Sequence, residues 1–406
     1  MTSIKGLRAT ALVAMAVLVG CAGTPQQAST PVEPAAPRAA PAAAERVIPP
    51  TLRIVGVGDI MMGTNFPEPV YLNPDLDEDA YLPAIVGWDL LDILRGGDVT
   101  FGNLEGTLFD GPDDAEHKPC RSPKSCYVFR SPEFHAALLR DMGFNAMSLA
   151  NNHAGDFREA GQAATMAALA RNDIVYAGVD NPGARTGTLT LENGIRVGLA
   201  AFAPNWGTVY LNDHARAQQI VRQLDAFHDV VLVSFHGGGE GAEMTRVPRE
   251  MEIFRGEERG DVWRFAHDVI DAGADVVLGH GPHVPRAVEI YRGRFIAYSL
   301  GNFWTYGRFN LKDLAGIAPV VDLVLSSADG RLVEARIHSI RQVGWGVPRV
   351  DPSGAALNAV AELTARDFPE AALEFAADGR IIPAPAPLAS CAGCAPPYRA
   401  ADIVSQ

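Results

Sequence analysis

Residues 148–156 read SLANNHAGD, and this stretch decides how the rest of the chain is read. It follows an apolar run, 144–150, that suits a buried strand, and it precedes a helical pattern beginning near Glu159. Asn151, Asn152 and His153 therefore sit on a strand-to-helix loop. Open α/β sheets bind ligands in the crevice beyond the carboxyl ends of their strands. The same residue types also cap helices and satisfy loop backbones, so the other strand exits must decide between the two readings.

Those exits repeat the pattern. Strands are expected over 53–57, 98–102, 173–177, 195–202, 230–235 and 275–278, with helical patterns near 216–227 and 260–272 of a length suited to crossovers. A helix is expected after Ser131 as N-cap, with Pro132 at its first position and Gly143 just past its end. From 288 the rhythm turns to hairpins, 288–291 with 294–299 and 320–325 with 332–340. Alternating β and α followed by antiparallel β implies a mixed, layered α/β domain over 51–345. Residues 346–406 form a C-terminal extension with a helix near 354–366.

The polar residues at the exits form a constellation. Asp59 lies in GVGDIMMG, Asn103 and Glu105 in FGNLEGTL, Asn152 and His153 in LANNHAGD, His236 and Glu240 in SFHGGGE, His280 and His283 in LGHGPHVP, and Asn302 in SLGNFW. If these strands share one rim, the side chains gather into a cluster of imidazoles, carboxylates and amides. Those are the ligands that divalent Mn, Fe or Zn take. One or two such ions would activate a water for hydrolysis at neutral pH. Glu105 or Asp59 would then bridge, Asn152 would add a neutral oxygen, and His153 would be free to act as an acid or to steady developing charge.

With those motifs in hand, the chain resembles the bacterial capsule-synthesis family called CapA or PGA_cap, associated with poly-γ-glutamate capsules, over residues 51 to about 310. That family is similar in turn to the calcineurin-like metallophosphoesterases, which implies a four-layer α/β/β/α sandwich with mixed sheets. The resemblance implies that Asp59, Glu105, Asn152, His236, His280 and His283 bind metal and that His153 is catalytic. Asn103, Glu240 and Asn302 are assigned to substrate. Two departures stand out: Asp59-Ile60-Met61 replaces the usual Asp-x-His, and His280-Gly-Pro-His283 replaces His-x-His. The family implies a phosphoester or an anionic polymer as ligand and capsule-synthesis proteins as partners. A hydrolase using a metal-held water and a non-catalytic subunit that anchors the polymer both fit.

The ends speak to location. Residues 1–20 carry Lys5 and Arg8 ahead of a short apolar stretch, as a secretory signal peptide does. Leu18-Val19-Gly20-Cys21 resembles a bacterial lipobox, which implies lipid modification of Cys21 and attachment to a membrane of the cell envelope. The alternative is a plain signal peptide with an incidental cysteine. Ala22 stands where aspartate commonly signals inner-membrane retention, so a Gram-negative cell would place the protein at the outer membrane or in the periplasm. Residues 21–50 are rich in Ala and Pro and read as a tether. In an oxidising compartment Cys120 with Cys126, and Cys391 with Cys394, read as disulfides, although the second pair also has redox or zinc spacing. A formal charge of −14 gives nucleic acid no general attraction.

Inside this acidic chain, loop 110–130 holds Lys118, Arg121, Lys124 and Arg130 around a cysteine pair. It reads as a pinned flap over an anionic ligand, or as a solvated surface loop.

Overall fold

The computed structural model describes residues 50–72, 78–120 and 127–383. Cys21, Cys126, Cys391, Cys394, Arg121 and Lys124 lie outside the described residues, as do the signal segment and nearly all of the tether.

Two large sheets form the frame. In the first, the strand Thr51–Met61 runs parallel to Val99–Leu104, which continues through Ala146–Ser148 to Val175–Ala177. On its other side Thr51–Met61 pairs antiparallel with Ile317–Ser326, followed by Leu332–Val343. In the second sheet Arg196–Phe202, Val230–His236, Val276–His280 and Arg294–Ala297 run parallel. Antiparallel strands Thr186–Thr190 and Val288–Tyr291 border them. Both sheets are mixed, as the sequence leads one to expect.

Three apolar cores stack these layers. Ile54, Val99 and Phe101 of the first sheet meet Leu199, Leu232 and Leu278 of the second. On the outer face of the first sheet, Val55 and Val57 pack with Leu90, Leu94, Leu139 and Leu169 from helices Trp88–Arg95, His135–Asp141 and Arg158–Arg171. On the outer face of the second, Val231, Val233 and Val277 pack with Val221, Phe265 and Val269 from helices His214–Asp225 and Val262–Asp271. Neighbours along a strand, such as Ile54 and Val55, thus feed different cores, because side chains alternate across a sheet. A strand apolar on both faces requires cover on both, and the result is an α/β/β/α sandwich.

Residues 347–383 continue the first sheet. Val347–Val350 and Arg380–Pro383 pair with Leu332–Val343, and helix Ala355–Asp367 puts Val360 into the core between the sheets and Leu363 into the outer core of the second. Among the described residues no helix is long and apolar enough to cross a membrane.

The helix expected to start at Ser131 begins instead at His135. Ser131 belongs to the short strand Arg130–Ser131, beside Thr107–Leu108, and its hydroxyl donates to the Gly63 carbonyl at 2.6 Å. That tertiary hydrogen bond takes the side chain that a local cap would have used.

Candidate metal centre

The parallel register of the first sheet sets Asp59 opposite Asn103 on one side and Asn302 on the other. Asn103 Nδ2 donates to Asp59 Oδ1 at 2.8 Å and lies 3.3 Å from His236 Nδ1. His236 comes from the second sheet, so one amide joins the two rims. Asn151 steadies it, donating to Asn103 Oδ1 at 3.2 Å and to the Leu104 carbonyl at 2.8 Å.

Close backbone approach within the first sheet sets Asp59 beside Asn302. A Cβ on Gly58 would stand 2.1 Å from the Gly301 carbonyl. His283 itself is held at φ 59°, a left-handed conformation that a non-glycine residue adopts at a cost. What holds it is visible: Asn302 Nδ2 donates to the His283 carbonyl at 3.2 Å, and His283 Nδ1 lies 3.0 Å from Asp59 Oδ2 and 3.2 Å from Asn302 Oδ1. With Nδ1 donating to these oxygens, His283 turns its Nε2 toward Glu105 Oε1, 3.5 Å away. A carboxylate that orients an imidazole through its far nitrogen is the usual outer support of a metal-binding histidine.

Glu105, His236 and His283 thereby offer three ligand atoms within 4.8 Å of one another. Both Glu105 carboxylate oxygens, His236 Nε2 and Asn152 Oδ1 are buried without a hydrogen-bond partner among the described residues. Buried polar atoms left unpaired cost free energy, and these carry the oxygen and nitrogen chemistry of a divalent-ion site. The residues fit such an ion. Burial pushes the Glu105 carboxyl up. It opposes charge on His283, but the neighbouring Glu105 and Asp59 carboxylates outweigh it and draw positive charge to the ring, so an ion bound at Nε2 would have to displace that proton. Burial and the nearby Arg259 keep His236 neutral, the form in which imidazole binds metal.

The other predicted residues take different places. His280 is the cross-strand neighbour of His236, yet its Nε2 lies 3.1 Å from the Val57 carbonyl and its Nδ1 3.3 Å from Ser234 Oγ. Glu240 is paired with Arg259 at 3.0 Å. His153 stacks on Phe129 at 4.0 Å between ring centres, and its Nδ1 lies 2.7 Å from Asp156 Oδ2. Asp156 is fully buried, accepts from the Phe129 amide at 2.7 Å and is paired with Lys118 at 2.6 Å. Nδ1 therefore donates to Asp156, which leaves Nε2 as the free atom of His153. Burial lowers the His153 pKa while Asp156 raises it, and Lys118 adds to the lowering.

A cavity of about 660 Å³ opens over this centre, with Asn152, His153 and His283 in its wall beside Lys118, Arg255, Arg259 and Arg308. Of the loop cations, Lys118 faces the cavity. Arg130 does not: it is buried against Asn65, Asp113 and the Gly111 carbonyl. Cys120 is disulfide-bonded. Sequence reasoning missed Asp156, although its His-x-x-Asp spacing is visible in SLANNHAGD, and missed Arg259, which no motif flags.

The fold and site define a two-sheet α/β sandwich with a nitrogen-and-oxygen cluster where the two rims meet. Residues 53–306 match the model of the bacterial capsule synthesis protein family PGA_cap, and the chain belongs to that family. The capsule biosynthesis protein CapA of Bacillus anthracis is 27% identical over 268 residues, covering 62% of this chain and 59% of that one. The PGA biosynthesis protein CapA of Bacillus subtilis is 28% identical over 270 residues, covering 62% and 64%. The chain thus spans roughly six tenths of the length of the curated relatives it matches. A crystal structure described as a novel phosphatase, from Mycoplasma pneumoniae, aligns with a TM-score of 0.43 at 13% identity, covering 72% of this chain and 94% of that one.

Proposed function

We propose that this chain is a metal-dependent hydrolase of the bacterial cell envelope, acting on an anionic substrate of capsule synthesis, a phosphoester or the polymer itself. One observation carries the reading: the buried oxygens of Glu105 and Nε2 of His236 have no hydrogen-bond partner among the described residues, and Glu105, His236 and His283 offer ligand atoms within 4.8 Å of one another, beside an imidazole that a buried carboxylate orients. A divalent ion there would supply Lewis acidity toward water and toward a substrate oxygen. The chain's own residues do the rest. Asp59 and Asn302 fix the His283 ring, and Asn103 ties Asp59 to His236. Asp156 holds the Nδ1 proton of His153, so that Nε2 can accept a proton or deliver one to a leaving oxygen. Lys118 and Arg308 favour negative charge in the cavity.

In this reading residues 1–20 are removed, Cys21 carries the lipid, 21–50 are the tether, and 51–345 with the 346–406 extension form the working part. The purified chain should hold at least one equivalent of Mn, Fe or Zn and hydrolyse a member of a phosphoester panel or poly-γ-glutamate only when loaded. Less than one equivalent, with no metal-dependent turnover, sinks the proposal.

A second reading is a non-catalytic subunit that grips an anionic polymer. The buried Met61, where a histidine ligand is usual, favours it, because thioether suits these ions poorly. His153→Ala separates the two: ligand binding survives in both, and only an enzyme has turnover to lose.

A further inference from the structure

Arg259 lies on the short strand Glu257–Gly260, outside both large sheets, and is 2% exposed. Its Nε donates to the Gly238 carbonyl at 3.0 Å and its Nη1 pairs with Glu240 at 3.0 Å. Those contacts account for the fold of the loop after His236. They leave Nη2 buried with no partner among the described residues. A buried cationic donor without an acceptor is costly. The structure nonetheless locks it in place. Arg286 and Glu252, both buried, form a two-point ion pair at 2.8 Å, and Glu252 also accepts from the Gly239 amide at 2.9 Å, which clamps the backbone that Arg259 reads. Arg259 is one of the residues lining the cavity, and its charge is felt at both His236 and Glu105.

We propose that Arg259 is a ligand-binding residue whose unpaired Nη2 receives an anionic oxygen of the molecule bound over the Glu105, His236 and His283 cluster. The assignment rests on the metal-centre reading for its location. Arginine suits this task because its charge is fixed and its donors are held in a plane. Glu240 then has a role other than touching substrate: it positions Arg259 and competes with the incoming anion for it.

The test is calorimetric titration of the full chain with inorganic phosphate and, separately, with glutarate, with and without Mn, after measuring the metal content of each sample. Arg259→Met should weaken binding at least about tenfold, the loss expected of one charge-assisted hydrogen bond, with metal content unchanged. Arg259→Lys should recover part of it. Arg264→Met, a change of equal charge on the exposed face of helix Val262–Asp271, should leave affinity as it was. Glu240→Gln should tighten binding several-fold by removing the competitor.

Loss confined to phosphate identifies a phosphoryl ligand and loss confined to glutarate a carboxylate one; either supports the assignment. Wild-type affinity for both probes in Arg259→Met, or no binding of either probe to the wild type, overturns it. If Arg259→Met fails to fold, Glu240→Gln decides, and unchanged affinity there overturns it. Binding that depends on Arg259 in a chain that takes up no metal would retain this inference and discard the hydrolase.

Discussion

The two sheets bring different chemistry to one rim. The first ends in acids and amides: Asp59, Asn103, Glu105 and the loop carrying Asn151, Asn152 and His153. The second ends in imidazoles, with His236 and His280 in register on adjacent strands and His283 shortly after. Neither sheet holds a ligand set by itself, so the centre exists only where they are docked. The contrast sharpens within one row of the second sheet. His236 Nε2 has no partner among the described residues, while the His280 ring lies between Ser234 of its own sheet and the Val57 carbonyl of the other. One imidazole is offered to the site and its neighbour stitches the sheets together.

Removing a ligand from either side should have the largest effect, and the same effect on metal. Glu105→Gln from the first sheet and His236→Ala from the second should each weaken metal affinity by more than the roughly 10–100-fold typical of an outer-shell partner, read as equivalents retained after dialysis. The two should differ in stability. Burial pushes Glu105 up because ionising it there is unfavourable, so the metal-free Glu105→Gln chain should melt above the metal-free wild type. A lower melting temperature would recast Glu105 as a structural residue.

Next in size is His153→Ala, which should lower kcat about 10²–10⁴-fold, the range for a lost proton-transfer group, with metal content unchanged. Asp156→Asn should give a smaller loss, because the ring stays but its Nδ1 proton loses a charged acceptor. Steady-state kinetics on metal-loaded protein checks both. Metal loss in His153→Ala would move that residue into the ligand set.

Strand exits were legible because a buried parallel strand is an uninterrupted apolar run, and such a run ending in Gly, Asp, Asn or His is conspicuous. The strand at 195–202, the hairpin from 288 and the helix near 354–366 all fall within a residue or two of Arg196–Phe202, Val288–Tyr291 with Arg294–Ala297, and Ala355–Asp367. Short elements were not legible: helix Trp88–Arg95 offers only Leu90, Leu91 and Leu94 as its buried face, and the two-residue strands around Thr107 and Arg130 have no periodicity at all. Within the site, residue type marks which side chains can bind metal. It does not show which imidazole nitrogen is already engaged, since the Val57 carbonyl beside His280 is far away in sequence. Nor can it reveal Arg259, whose meaning lies in one unpaired nitrogen.

The stitch itself can be tested. His280→Leu should cost about 1–3 kcal/mol, the penalty for leaving the buried Val57 carbonyl unsatisfied, measured by denaturant unfolding of the metal-free chain. It should leave metal stoichiometry and anion affinity near wild type. If instead it matches His236→Ala in metal loss, the division between the two histidines is wrong and His280 turns its ring to the ion when one is bound.

The smallest effect concerns a buried histidine that is not at the rim. His135 opens helix His135–Asp141 on the outer face of the first sheet, 1% exposed, edge-on to Phe134 and Tyr71, with Nδ1 unpaired among the described residues. Burial depresses its pKa to about 3. The unfolded chain takes up a proton near pH 6.5 and the folded chain does not until about 3, so the fold loses stability as pH falls through that window, by up to about 1.4 kcal/mol per unit. His135→Leu leaves no hydrogen bond unmade at this nitrogen and removes the proton uptake. Its stability relative to wild type should therefore be flat above pH 7.5 and rise by about 1 kcal/mol on going to pH 6, a shift read from denaturant midpoints at the two pH values with chelator present. Parallel pH slopes for the two chains would mean that His135 takes up its proton in the fold as it does in the unfolded chain, and that the acid sensitivity of the protein belongs to the rim.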